Sequence, residues 1–296
     1  MEGLEAAMAK ARAARNDLRG GGLREGEPRL GEPRLGEQRS GDRAPRVPAA
    51  PQRSAVPGTA ADWSTLNTIE ISPKLAKSKR INAAATTEFA SYYGILRARV
   101  LRQMKENGWT RLAITSPREK SGKSTISLNL ALSLARSDDQ KIILMDFDLR
   151  RPSLGALLNL KSLPDLTGLL RPGAFFKDHA VRYGSNLAIC TNRMRVQNSA
   201  ELLQGHSVKD ALDRIEADWQ PDIMVFDTPP MLGNDDNMGF FANVDCALIV
   251  AAAGSDTLAQ IDRCETEVAG LTNVLGTVLN KCRYADNSGG LDTDYY

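Results

Sequence analysis

The segment Thr115-Ser-Pro-Arg-Glu-Lys-Ser-Gly-Lys-Ser-Thr125 decides how this 296-residue chain folds. Before it stands the apolar run Leu112-Ala-Ile-Thr115, and after it an apolar helical pattern covers residues 124–136. Strand, tight turn and helix follow in the order a phosphate-binding loop needs. Successive backbone N–H groups and the helix N-terminus then form a nest for an anion. Ser121, Gly122, Lys123, Ser124 and Thr125 are the candidate nest residues. Lys123 would place a point charge at the β/γ-phosphates, and the Ser124 hydroxyl would ligate Mg²⁺. Glycine is scarce here: Pro117 holds the first glycine position, and Lys120 and Ser121 fill the loop middle. Glycine is usual there because it tolerates positive φ; a lysine forced into that region would store about 1 kcal/mol of strain.

Working outward, further apolar runs occupy residues 142–145, 187–189, 223–226, 247–250 and 274–279. Runs that are apolar at every position suit strands covered on both faces. Helical patterns at 124–136, 200–217 and 257–271 lie between many of them. One more helix precedes the first run, with Phe89, Tyr93, Leu96, Val100 and Met104 on one face and Gly108 as its stop. The alternation predicts an α/β fold, a mostly parallel sheet with helices on both faces. Ligands in such sheets gather at the carboxyl ends of the strands. At those ends stand Asp146-Phe-Asp148, followed by Leu-Arg150-Arg151-Pro152, and Asp227-Thr-Pro-Pro230. Each acid alone also suits a turn or a helix cap. Beside the Gly-Lys-Ser turn, the three together point to Mg²⁺, which takes a hydroxyl and one or two carboxylates and keeps several waters.

Composition sets the N-terminus apart. Residues 1–60 hold nine glycines, six prolines and no aromatic residue. Gly26-Glu-Pro-Arg-Leu30 recurs as Gly31-Glu-Pro-Arg-Leu35 and decays to Gly36-Glu-Gln-Arg-Ser40. A five-residue period offers no face to bury, so a disordered, partly polyproline-II-like tail is expected. Its eleven basic and eight acidic residues leave a net −1 for the remainder, so the folded part carries no charge footprint for nucleic acid. The longest apolar run, residues 246–253, is eight long, too short to span a membrane, and the N-terminus lacks the apolar core of a secretory signal. Cys190, Cys246, Cys264 and Cys282 show neither C-x-x-C nor metal-ligand spacing, which suits reduced thiols in the cytoplasm.

The three stations resemble the Walker A, Walker A′ and Walker B motifs of the bacterial tyrosine kinase (BY-kinase) family. These are the CpsD/CapB-like cytoplasmic kinases of capsule and exopolysaccharide biosynthesis. The A′ match is Ile143-Leu-Met-Asp146-Phe-Asp148-Leu-Arg150-Arg-Pro152, and the Walker B match is Met224-Val-Phe-Asp227-Thr-Pro-Pro230. Asn198-Ser-Ala-Glu-Leu-Leu203 is similar to the family's Asn-Pro-x-Glu-Leu-Leu segment, and Val278-Leu-Asn280-Lys281 to its adenine-side strand end. Asp236 aligns with a recurrent acid of the family. The likeness spans roughly residues 85–285.

This resemblance implies a MinD/ParA-like P-loop NTPase fold that binds Mg²⁺·ATP and passes the γ-phosphoryl group to protein tyrosines. By position it implies that Lys123 neutralises phosphate charge and that Ser124 and Asp227 hold the metal with support from Asp148. It also implies that Asp146 orients or deprotonates the phenol and that Asn280 lies against adenine. A tyrosine hydroxyl, with a pKa of about 10, is protonated at neutral pH, so a carboxylate acceptor for its proton is chemically sensible. The family's phospho-acceptors cluster in a C-terminal tail; here Tyr284, Tyr295 and Tyr296 are the candidates. The family's subunit-contact helix reads Glu-x-x-Arg-x-x-Arg, of which Ser91-Tyr-Tyr-Gly94-Ile-Leu-Arg97 keeps the last arginine. The implied partners are a transmembrane polysaccharide co-polymerase or adaptor and further copies of the chain in a homo-oligomer. A peripheral place at the inner membrane follows from the first of these.

The expected organisation is a disordered Gly/Pro/Arg-rich region over 1–80, a P-loop kinase or ATPase domain over 81–285, and a flexible tyrosine-bearing tail over 286–296. Two functions remain open on the residues. One is a tyrosine kinase that phosphorylates its own tail and regulates polysaccharide polymerisation and export. The other is a non-phosphorylating ATP switch acting by conformation on a membrane or export partner. Arg150 and Arg151 either contact phosphate or line the Pro152 turn. His179 and His206 have no partner at metal or catalytic spacing, and Cys246 heads a run that packs.

Overall fold

Six strands coincide with the apolar runs: β2 (Arg111–Thr115), β3 (Ile142–Asp146), β5 (Leu187–Cys190), β6 (Ile223–Asp227), β7 (Cys246–Ala252) and β8 (Asn273–Asn280). Two short strands, β1 (Asn67–Thr68) and β4 (Val181–Tyr183), complete one eight-stranded sheet in the order β1-β4-β5-β3-β6-β2-β7-β8. The six long strands are parallel to their neighbours among themselves, whereas β4 runs antiparallel to β5 and carries β1 parallel to itself. The computed structural model describes residues 60–84, 89–160, 166–192, 194–233 and 235–282, all within one compact unit. The pentapeptide repeats and Tyr284, Tyr295 and Tyr296 lie outside the described residues.

Strand side chains alternate between faces, and the sheet accordingly separates two cores. Leu112, Ile114, Ile142, Leu144 and Val225 point to one side, where α2 (Ala90–Asn107), α3 (Lys123–Leu134) and the short α1 (Pro73–Lys79) and α4 (Leu154–Leu157) cover them. Ala113, Ile143, Met145, Met224 and Phe226 point to the other. There they meet α5 (Leu166–Leu169), α6 (Ser199–Gln204), α7 (His206–Trp219), α8 (Asp236–Phe240) and α9 (Leu258–Ala269). The helix α3 is buried at every position from 126 to 134, because α2 and the preceding segment close over its outer side. This explains why its apolar residues are spread all round rather than along one stripe, with Ser127, Asn129 and Ser133 buried among them.

Phe147, between the two acids of the A′ segment, turns into the core. It stacks on Phe240 at 4.4 Å between ring centroids and meets Phe226 edge-on at 5.4 Å. Such pairs contribute roughly 0.5–1.5 kcal/mol beyond area burial. They pin the loops that follow β3 and β6 together beneath the strand ends.

Three expectations differ from what the chain does. Residues 60–80, placed with the disordered N-terminal region in the expected organisation, form a strap on the domain. Trp63 is buried, its Nε1 donates to Trp219 O at 3.1 Å, and β1 extends the sheet. Ser72 caps α1 with Pro73 in its first turn, and the Ala83 N–H donates to Asn129 Oδ1 at 2.8 Å, tying the strap to α3. The predicted helix 200–217 is two helices, because Gly205 sits at ψ 143° between α6 and α7. Phe89 lies ahead of α2 rather than on its buried face and is 57% exposed; Val100 and Met104 supply the burial.

Candidate active site

The loop after β2 enters α3 through two left-handed residues, Lys120 (φ 62°) and Gly122 (φ 91°). Gly122 takes a φ that side chains rarely adopt, and a Cβ there would lie 2.3 Å from Asn280 Nδ2, so that amide would have to move. That amide donates to Ser121 O at 2.9 Å, and Lys281 Nζ donates to Lys120 O. Asn280 therefore meets the loop backbone directly. The lysine at position 120 does adopt the strained region, so Lys120→Gly is expected to stabilise the nucleotide-free chain by about 1 kcal/mol. In thermal unfolding this corresponds to a rise of about 2–4 °C in Tm; a fall in Tm would contradict it.

The acids converge at the neighbouring strand ends. Asp146 and Asp227 are register partners on β3 and β6, and both are fully buried. Asp146 Oδ2 accepts the N–H groups of Ser153 (2.9 Å) and Leu154 (3.0 Å), whereas its Oδ1 has no partner. Asp227 Oδ1 lies 3.1 Å from Ser127 Oγ, its Oδ2 has no partner, and the nearby Ser124 side chain favours its charged form. Lys123 Nζ contacts Asp148 Oδ2 at 2.6 Å, and Asp148 Oδ1 accepts Arg151 N–H at 3.1 Å. Both oxygens of Asp148 are thus engaged by the protein.

Burial dominates the electrostatics. Desolvation raises the Asp227 carboxyl to about 6, opposed by the Lys123 charge and the serine hydroxyls and reinforced by Asp148. Desolvation and the Asp227 charge hold Asp146 well above the usual carboxylate range, against the pull of its two amide donors. Burial alone would lower Lys123, yet the charges of Asp227 and Asp148 raise it, so it stays cationic.

The structure brings together Ser121, Gly122, Lys123, Ser124, Asp146, Asp148, Asp227 and Asn280, with Thr125 in the first turn of α3. Arg150 faces Asp235 and the buried Asp236, and Arg151 pairs with Glu119 of the loop. His179 packs its ring over Gly168. The sequence reading missed Asp256, which contacts Ser121 and Arg118. Its position just beyond β7 was the available signal, because strand carboxyl ends collect ligand-binding groups. Ser127, one turn beyond Ser124, was also missed.

The family model for ParA, described as an NUBPL iron-transfer P-loop NTPase, matches residues 110–293. The chain belongs to this ParA family. Among relatives of the ParA-family chain, tyrosine-protein kinase YwqD of Bacillus subtilis strain 168 is 29% identical over 219 residues, covering 73% of this chain and 86% of YwqD. Tyrosine-protein kinase ptk of Acinetobacter johnsonii is 29% identical over 153 residues, and the chain spans only 20% of its length. The solved kinase domain of the Escherichia coli tyrosine kinase ETK is 25% identical, with a TM-score of 0.62, covering 75% of this chain and 85% of that domain. The resemblance to bacterial tyrosine kinases read from the motifs is borne out by these relatives, as is the P-loop NTPase fold.

Among the described residues no clustered set of thiolates answers to the iron transfer in the family model's description. Cys190, Cys246 and Cys264 are buried, which pushes their thiols up (Cys264 to about 12), and Cys282 stands exposed. Iron–sulfur clusters need clustered thiolates. Among the described residues no three His, Cys, Asp or Glu side chains form a metal cage. A Mg²⁺ accompanied by nucleotide needs less. The unpartnered oxygen on Asp227, beside the Ser124 hydroxyl, fits that ion. No helix among the described residues is long and apolar enough to cross a membrane.

Proposed function

We propose that this chain is an ATP-dependent protein-tyrosine kinase that phosphorylates tyrosines of its own C-terminal segment. The single observation that supports it best is the pair of buried, unpartnered carboxylate oxygens, Asp146 Oδ1 and Asp227 Oδ2, on register-paired strands beside Lys123. Ser124 and Asp227 would hold Mg²⁺, with Asp148 joining once Lys123 turns to phosphate. When bound, the ion would supply charge neutralisation across the β- and γ-phosphates. The nest at Ser121 to Thr125 would hold the phosphate chain, with Asn280 at its adenine side.

Asp146 would accept the phenolic proton. Its Oδ2 is fixed by two amides, which leaves Oδ1 free for that proton. Its raised pKa makes it a stronger base than an ordinary carboxylate. The phenolic oxygen gains the bond to the γ-phosphorus as the bond to the β–γ bridging oxygen breaks, and ADP leaves. Tyr284, Tyr295 and Tyr296 are the proposed acceptors.

The reading extends to the wider system. The kinase would act in the cytoplasm against the inner membrane, through a transmembrane polysaccharide co-polymerase, and as a homo-oligomer. In that setting it would regulate exopolysaccharide or capsule polymerisation and export. The kinase domain would comprise residues 81–285 together with the strap at 60–80, with the repeat region before it and the acceptor tail at 286–296.

The test is direct. Full-length protein incubated with ATP, Mg²⁺ and a cytoplasmic fragment of the co-polymerase is expected to gain phosphotyrosine by mass spectrometry. The signal is expected to fall by most of its intensity in the Tyr295→Phe/Tyr296→Phe variant. ATP turnover with unmodified tyrosine would instead establish the conformational switch.

A further inference from the structure

Asp256 lies in the turn after β7, outside all of the motifs above, with its side chain 1% exposed. Its Oδ2 accepts the Ala252 N–H at 2.7 Å and faces the Ser121 hydroxyl at 3.1 Å. Ser121 Oγ also lies 2.9 Å from Arg118 O, so one hydroxyl proton serves two acceptors. Asp256 Oδ1 stands 3.3 Å from Arg118 Nε, and Arg118 Nη2 donates to Ser255 O at 2.7 Å. The bond to Ala252 fixes the carboxylate to the end of a strand that is buried at every position. Its other contacts grip two residues of the phosphate loop.

The adjacent strand end adds Asn280 and Lys281 on the carbonyls of Ser121 and Lys120. Residues 118, 120 and 121 are therefore held from outside. That support matters because the loop itself is poorly predisposed to its shape. Pro117 and Lys120 stand where glycine would leave the backbone free, and Lys120 is held at φ 62°. A carboxylate beside an anion nest would repel phosphate if it faced the nest unpaired. Here Arg118 pairs with it and the protein seals it from solvent.

We infer that Asp256 is the positioning residue that holds the loop 118–121 in its anion-binding shape, in the role that glycine plays in a loop able to adopt that shape unaided. The inference rests on the nucleotide reading of the loop given above, and it concerns binding rather than the transfer step.

The experiment uses the full-length chain, a fluorescent Mg²⁺·ADP analogue for affinity, and the Tm of the nucleotide-free protein. Asp256→Ala is expected to weaken binding by about tenfold or more, the usual scale for a supporting shell around a binding group. Lys120→Gly added to it is expected to recover about threefold or more, a larger factor than the same change gives in the wild-type background. Mutations that share one strained element are non-additive. Asp256→Asn keeps an acceptor for Ala252 and Ser121 without the charge toward Arg118, and is expected to fall between. A lowered Tm with unchanged affinity, or equal effects of Lys120→Gly in both backgrounds, would show a merely structural residue and overturn the inference.

If Asp256→Ala does not fold, Ser121→Ala removes only the gripped hydroxyl. It is then expected to weaken binding, and unchanged affinity would overturn the inference. A wild-type chain without affinity for Mg²⁺·ADP would overturn the nucleotide reading itself. Unchanged affinity in Asp256→Ala beside a binding wild type would overturn this inference alone.

Discussion

Lys123→Ala is expected to weaken Mg²⁺·ATP binding by about a hundredfold or more, and phosphoryl transfer at least as much. The lysine is 12% exposed and lies at the first residue of α3, so its charge acts in a poorly solvated setting. Truncating one partner of a buried, hydrogen-bonded charge contact costs roughly 2–5 kcal/mol. The neighbouring acids hold Lys123 above its ordinary pKa, so the ammonium persists throughout the neutral and mildly alkaline range. In the nucleotide-free state its partner is Asp148 at 2.6 Å. Binding phosphate would then mean exchanging one anion for another and would free Asp148 for the proposed cation site. Lys123→Arg is not expected to restore function, because a planar guanidinium fork does not replace a compact ammonium. Titration calorimetry with a slowly hydrolysed ATP analogue measures the effect. Affinity within about threefold of the wild type would refute the assignment.

Asp227→Asn is expected to have opposite effects on stability and on function. The Asp227 carboxyl is raised from an ordinary 3.8 to about 6 in the folded chain, first by desolvation. The folded state therefore holds this proton more tightly than the unfolded state does. Its contribution is fully present below about pH 4 and is lost as pH rises through 6. Above that, the buried anion costs roughly 3 kcal/mol, as an order of magnitude. Removing the charge should thus raise the Tm of the nucleotide-free protein at pH 8 by several degrees, given about 2–4 °C per kcal/mol for a domain of this size. The variant should be little changed relative to the wild type at pH 4.5. The same change removes a proposed magnesium ligand, so Mg²⁺-dependent nucleotide binding should be lost. Differential scanning calorimetry at the two pH values decides the first half. An Asp227→Asn chain no more stable than the wild type at pH 8 would sink it.

Much of the architecture is legible in the sequence. Runs such as Ile142 to Met145 and Ile223 to Phe226 are apolar at each position, the pattern of a strand with cover on both sides. The Gly-Lys-Ser turn and the acids at the ends of β3 and β6 could be assigned to one edge because parallel strands present their carboxyl ends together. Less was legible where the chain is short of pattern. The strap at 60–80 has elements of two to seven residues, too brief for a period to register, and its order depends on Trp63 meeting Trp219, 156 positions away. Gly205 interrupts a helix that periodicity draws as continuous, because α6 packs with Gln204 against Gly239 of α8.

The order of residues alone settled the layering, the parallel sheet and the edge at which the phosphate loop and its acids collect. Those are properties of spacing and polarity, which are local and repeat along the chain. The folded molecule decided which oxygens stay unpartnered, that Lys123 rests on Asp148, and that Asp256 grips the loop from a strand end 135 positions beyond Ser121. Those are matters of distance and burial between remote segments, and a carboxylate's role changes with the partners and the dielectric that packing alone provides.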